Sequence, residues 1–484
     1  MTVTSRTDQT PRHDPHLNNG RTPGVRLRVV VVGCGLGGLA CAFSLQKAGH
    51  DVVILETARS IGEIGAGIQV TPNLSRILIR WGLRDKLNKL AVVPEAIVFR
   101  RYKTGAKVGG SVWGSKMERD HGSPYYHVHV SILRSNSNIL LTGGFQRADL
   151  HRMLYELAQQ AGVTIRLAST VKSIDPSAPS LILSNGETIH CDLIVGADGV
   201  KSTIREVVVG GPDKPRPTGD AAYRAIIPAE KMRGDPELEA LLENPEMTAW
   251  MGPGRHIMAY CIRGRNEYNM VLIHPDGRDG SAPAVESWTA EGSIEEMRRD
   301  FSGWEPRIQK LIHLIPSTLK WMLADREPLE KWVHDSGKVV LLGDSCHPML
   351  PYRAQGAAMA VEDAVVLGGL LSGVGRLDDL PRLLREYQDL RLPRTAESQK
   401  SARLNQFIFH LPDGPEQLAR DGDMSQAMEW EQAWLSREKG KNGVLKEERI
   451  WAGNMNQWAD QTKNKLQFGY DAFEAVEEWW RQNR

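Results

Sequence analysis

The sequence predicts an α/β protein in which a parallel sheet carries an inserted antiparallel sheet and is followed by a helical C-terminal region. Three observations predict it. A β-branched run, Leu27 to Val32, passes through a glycine-rich turn into a helix with small residues on one face. Segments between Thr218 and His274, such as Ile257 to Ile262, alternate with the period of an antiparallel sheet. Beyond about Gln355 the pattern reads helical. Composition agrees with a large globular fold: of 484 residues, 41% are hydrophobic and 25% charged.

The same numbers exclude several classes. With 60 Lys plus Arg against 59 Asp plus Glu, there is no surplus cation for binding a nucleic acid. No apolar stretch approaches the ~18 residues of a membrane span. Five cysteines without paired spacing argue against a disulfide scaffold or a metal module, and for a reducing, cytoplasmic setting.

In chain order, residues 1–24 are polar, lack apolar periodicity and predict a disordered tail. The tail has no apolar core for secretion, and Asp8 and Asp14 do not suit a mitochondrial presequence. Strand Leu27 to Val32, helix Leu39 to Ala48 and strand Asp51 to Leu55 make a βαβ unit. Helices follow at about Asn73 to Leu90 and Asp149 to Ala161, and buried strands at Val163 to Leu167, Cys191 to Val195 and Lys338 to Leu342. The expected division is a nucleotide domain over 25–215, an inserted substrate domain over 216–330, a return to the first domain over 331–375, and a helical region over 376–484.

Three motifs carry chemistry. Gly33-x-Gly35-x-x-Gly38 sits between strand and helix, with Glu56 ending the second strand eighteen positions after Gly38. Gly33 permits the turn, Gly35 lets backbone approach a pyrophosphate, Gly38 lets helix pack on strand, and Glu56 suits an adenosine ribose. This predicts Rossmann-like dinucleotide binding without separating FAD from NAD. Gly196-Ala197-Asp198-Gly199 follows a buried strand, and Asp198 there fits either a helix cap or a cofactor site. Gly343-Asp344 ends a third apolar strand, and the segment from Pro351 to Gly356-Ala357 opens a small-residue helix whose amides suit an anionic ring edge. Asp344 suits a ribityl chain.

The three motifs in this order resemble the single-component FAD-dependent aromatic hydroxylases, of the salicylate hydroxylase and 6-hydroxynicotinate 3-monooxygenase type with fungal secondary-metabolite relatives. The resemblance spans residues 27–370 and extends to Gly62–Ile68 and Arg147–Leu150. It implies an FAD-binding parallel-sheet domain holding non-covalent FAD. Glu56 would lie on the ribose, Ala66, Gly67 and Arg147 along the cofactor, Asp198 near the pyrophosphate, Asp344 at the ribityl chain, and Gly356 and Ala357 facing the ring. It also implies NAD(P)H as a transient reductant, since no second dinucleotide motif is present, and O₂ as co-substrate through a flavin C4a-hydroperoxide. A monomer and a homodimer both remain open.

Hydroxylation of an electron-rich ring, phenolic or salicylate-like, needs a group that takes the phenol proton. Alternation places His256, Met258 and Tyr260 on one face of a strand. The resembling enzymes have His and Tyr at this spacing, and a His three positions after the Gly-Asp acid, here His347. Each fits a structural role equally well. Tyr223-Arg224 opens the inserted sheet, and Arg224 suits a carboxylate or phenolate, or an interdomain ion pair. The alternatives are an indole or alkene epoxidase, which needs no such base, and a catalytically silent flavin-binding protein. A halogenase would show Trp-x-Trp-x-Ile, which is absent. The tryptophans of the C-terminal region (430, 434, 479 and 480) are expected to be core contacts.

Overall fold

The computed structural model describes residues 19–134, 150–213, 215–276, 291–438 and 453–483. Its centre is a five-stranded parallel sheet in the order Val339–Leu341, Leu193–Gly196, Arg28–Val32, Asp51–Leu55, Thr164–Arg166. The β-branched strand Arg28–Val32 is flanked on both sides and its last four residues are buried, as a continuous apolar run requires. Helix Leu36–Lys47 packs against helix Gly356–Leu371 so closely that a Cβ on Gly368 would stand 2.7 Å from Ser44 Cβ. Residues far apart in the chain thus form one core around this sheet.

The inserted sheet has eight strands, in the order Glu291–Gly292, Thr318–Asp325, Arg216–Pro228, Glu267–Pro275, Arg255–Ile262, Glu246–Gly252, Ala96–Arg101, Lys107–Val112. Alternation sorts its side chains onto two faces. Ile257, Ala259 and Cys261 join one core with Tyr223 and Ala225, while Met258, Tyr260 and Ile262 join another with Ala222 and Trp321. The last two strands come from residues that the sequence assigned to the nucleotide domain. Ala96–Arg101 reaches the sheet by pairing in parallel with Glu246–Gly252, a partnership across some 150 residues that no local pattern encodes.

Strands Ser60–Val70 and Tyr126–Arg134 pair antiparallel as a separate two-stranded sheet against the inserted one. The Gly67 amide donates to Asn269 Oδ1 at 2.8 Å, and a Cβ on Gly67 would lie 2.5 Å from Asn269 Cγ, so glycine is what allows the approach.

Two further expectations change. The helix expected over Asn73 to Leu90 is two helices, Pro72–Arg80 and Arg84–Leu90, broken at Gly82 with φ +83. The disordered tail is expected to run to residue 24, and residues 1–18 lie outside the described ones. Arg21, however, pairs with Glu477, and the Gly24 amide donates to Val374 O at 2.8 Å. Trp479 and Trp480 donate to Glu386 and Gly369 O, as core-packed indoles do. All five cysteines are buried and free. Among the described residues no helix is long and apolar enough to cross a membrane.

Candidate active site

A cavity of about 420 Å³ lies where the parallel sheet's C-terminal ends meet the inserted sheet. Of the residues singled out in the sequence, Gly35, Asp344, Pro351, Gly356 and Ala357 line it from the parallel-sheet side, and Gly67 lines it from strand Ser60–Val70. Arg224, His256 and Tyr260 line it from the inserted sheet, with Met258 between the last two. The strand alternation therefore delivers its three side chains to one wall.

The nucleotide side is shaped by close approach. Gly33 has φ +107, and a Cβ there would lie 2.3 Å from Ala197 O. A Cβ on Gly38 would lie 2.0 Å from Gly33 O, whereas one on Gly35 would meet nothing within 4 Å. Gly33 and Gly38 thus serve packing, and Gly35 presents bare backbone to the cavity, as a pyrophosphate requires. Glu56 accepts the amides of Cys34 and Ala58, each at 2.8 Å. It fixes the turn while keeping carboxylate lone pairs for a ribose. Asp344 opens into the cavity, where its side chain stays accessible, and the protein packed around it pushes its carboxyl above the usual range. An atom built on Gly356 would stand 4.0 Å from Asp344 Oδ1, so helix start and acid face each other. The loop between them carries Ala354 at φ +55, a strained conformation for a residue with a Cβ.

Two of these residues commit their side chains to protein partners, Asp198 in the helix cap that its sequence allowed. Asp198 accepts Ser202 Oγ at 2.5 Å and the amides of Thr203 and Ile204 at 2.9 and 3.2 Å, capping the next helix; its neighbours Ala197 and Gly199 line the cavity. His347 does not reach the cavity. Its Nε2 is 2.6 Å from Asp363 Oδ2, in a core where Asp363 also binds Arg391 at 2.7 Å and the Gly343 amide at 3.1 Å. That commitment makes His347 a positioning residue for the Gly343-Asp344 corner and leaves Asp363 spoken for, although Cys346, His347 and Asp363 are close enough to suggest a metal. Arg147 and the side chain of Ala66 lie outside the described residues; the Ala66 backbone pairs with Val130.

On the substrate side, Arg224 has no hydrogen bond or ion pair from its guanidinium to any described residue, and its Nε is buried. It lies over the Trp321 ring at 4.9 Å. Burial holds its pKa below the usual arginine value, with Tyr260 acting in the opposite sense. Burial pushes Tyr260 up to about 12, against the opposing pull of Arg224 and a hydrogen bond from Gln69. His256 is held well below its ordinary value by burial and by neighbouring His410, so it is a neutral imidazole. Sequence reasoning missed Trp321, Gln69 and Trp458, which complete the walls.

It also missed the buried network behind the cavity. Glu362 binds Arg391 at 2.9 Å, Arg394 at 2.6 Å and Asn73 at 2.7 Å, anchoring the helix that begins at Gly356. Two adjacent acids in an otherwise apolar helix were the available signal.

Residues 26–402 match the family described as FAD binding domain. The chain belongs to this family of FAD-dependent monooxygenases. It is 38% identical over 417 residues to the FAD-dependent monooxygenase OpS4 of Beauveria bassiana (strain ARSEF 2860), covering 85% of this chain and 92% of that one. It is 36% identical to the 3-amino-4-hydroxybenzoate 2-monooxygenase PtnB3 of Streptomyces platensis, covering 85% and 96%. A solved salicylate hydroxylase substrate complex shares the fold, with a TM-score of 0.67 at 22% identity over 87% of this chain and 99% of that one. This monooxygenase binds FAD, and the bare amide of Gly35, the Asp344 carboxylate and the Gly356 helix start are the features that fit the cofactor.

Proposed function

We propose that this monooxygenase hydroxylates a phenolic, salicylate-like aromatic compound, using NAD(P)H as a transient reductant and O₂ as co-substrate. The observation that carries the reading is Arg224: a permanent cation with no acid partner among the described residues, in the same cavity as His256 and Tyr260. A guanidinium half-enclosed in a cavity without an acid partner is costly, and an anionic substrate supplies the partner. The Streptomyces relative, a 3-amino-4-hydroxybenzoate 2-monooxygenase, supports the same substrate class.

Bound FAD supplies oxygen activation. The chain's own residues do the rest. Arg224 receives the carboxylate or phenolate oxygen in its planar fork. His256, neutral at physiological pH, accepts the proton of the substrate hydroxyl and so raises the electron density of the ring. Tyr260 stays protonated, held by Gln69, and donates to a substrate oxygen. Met258, Trp321, Tyr352 and Trp458 make the walls that exclude water.

The test is a panel of phenols, benzoates and indoles scored for stimulated NAD(P)H consumption and product mass. Hydroxylated phenols or hydroxybenzoates are expected. The double variant His256→Ala/Tyr260→Phe should keep FAD and lose about 10²–10⁴ of the hydroxylation rate. Product from indoles alone, or native turnover of a phenol by that variant, would overturn the reading.

A further inference from the structure

Behind the cavity wall a line of polar side chains leaves the site. His256 Nδ1 lies 2.9 Å from His410 Nε2. His410 follows the 30-residue helix Leu380–Phe409, and its carbonyl accepts the Gly254 amide at 3.0 Å, which ties the two segments together by backbone. His410 Nδ1 in turn lies 3.7 Å from Asp220 Oδ2. That carboxylate oxygen is fixed from two sides, by the Tyr352 hydroxyl at 2.9 Å and the Gln406 amide at 2.7 Å.

We propose that His256, His410 and Asp220 form a proton path that carries the substrate's hydroxyl proton from the cavity toward solvent. This rests on the reading of the substrate as a phenol.

Exposure runs in the required direction. His256 is 2% exposed and Asp220 8%, and His410 between them is half-buried. A proton cannot rest on His256. Its ring is buried, and no acid among the described residues packs directly against it. At His410 the positive charge meets Asp220, and its pKa is pulled down by burial but up by that carboxylate. The other rings against His256 are those of Tyr352 and Phe409, each centred 5.1 Å away, and neither offers a competing charge.

The step balances without electrons. The substrate O–H bond breaks and its proton joins His256 Nε2. The proton on His256 Nδ1 passes to His410 Nε2, and the imidazolium so formed is stabilised by Asp220 until solvent takes a proton. The same path run inward reprotonates the product phenolate and restores the starting tautomers. His256 touches the substrate; His410 and Asp220 act through it and are positioning residues.

The test uses the FAD-loaded enzyme and a phenol that the wild type hydroxylates. His410→Gln keeps a hydrogen-bonding side chain but cannot carry the proton. It should lower kcat about ten- to hundredfold while KM and FAD content stay unchanged, and added imidazole should restore part of the loss. Asp220→Asn should show a smaller loss of kcat in the same pattern. Native kcat in His410→Gln, or a loss that imidazole leaves untouched, would overturn the path. If His410→Gln does not fold, the wild type decides in mixtures of H₂O and D₂O: a curved dependence of kcat on deuterium fraction supports two protons in flight, and a linear one overturns it. A wild type that turns over no phenol defeats the substrate reading instead, which separates the two failures.

Discussion

Replacing Arg224 by methionine should make the protein more stable and less active. The guanidinium has no acid partner among the described residues, and its contact with the Trp321 ring at 4.9 Å is worth about 0.5–2 kcal/mol. Holding an unpaired ion half out of water, with its Nε enclosed, is costly, so its removal should raise the Tm of the substrate-free enzyme modestly. In the complex the sign reverses. Each hydrogen bond between a charged group and a substrate oxygen is worth about 1.5–3 kcal/mol, which is roughly a 10- to 150-fold loss in kcat/KM. Arg224→Lys retains the charge but loses the fork, and should waste part of its NAD(P)H as hydrogen peroxide. The assay pairs thermal unfolding without substrate with peroxide formed per NAD(P)H consumed. A lower Tm in Arg224→Met together with full coupling in Arg224→Lys would show that the arginine serves the fold and not the ligand.

Glu56→Ala removes the acceptor of two turn amides; with the ribose role proposed for this carboxylate, FAD affinity should fall about 10-fold or more, read as flavin fluorescence released on dilution, and full retention would remove Glu56 from the cofactor site. Asp363→Asn strands His347 and weakens the hold on fully buried Arg391. It should cost about 3 kcal/mol in urea unfolding, and an unchanged midpoint would contradict the network. Acid should destabilise the protein before its carboxylates titrate. Burial lowers His50 to about 4, against an unfolded value near 6.5, so the neutral form is favoured in the native state. The stability it contributes is complete above pH 6.5 and is lost as pH falls toward 4, by about 3 kcal/mol. His127, lowered to about 3, acts in the same sense. Equal urea midpoints at pH 7 and pH 4.5 would refute this.

What could be read in the sequence was local. The first strand, its glycine turn and Glu56 all lie within thirty residues, and each rests on short-range geometry. His256, Met258 and Tyr260 were legible because a strand has a period of two whatever it pairs with. Arg224 stood out as a charge in an apolar strand. What failed were assignments that depend on distant partners. His347 has the right neighbours in sequence, but its pairing with Asp363 is decided by packing; the helix cap of Asp198, by contrast, is local and was one of the two readings its sequence offered. Trp458 and His410 reach the site from the C-terminal region, where their surroundings in sequence give no hint of a cavity.

The strand order of the parallel sheet has a consequence for biosynthesis. Arg28–Val32 is made first and sits in the middle, yet its neighbour Leu193–Gly196 emerges roughly 160 residues later. At the ribosome's pace of about 5–20 residues per second, a strand built for burial on both sides waits on the order of ten to thirty seconds with one edge bare. Val339–Leu341, which leads into Asp344, follows later still. The nascent chain therefore cannot take up its flavin until most of the polypeptide exists, and during synthesis the β-branched opening segment is the part most in need of a chaperone.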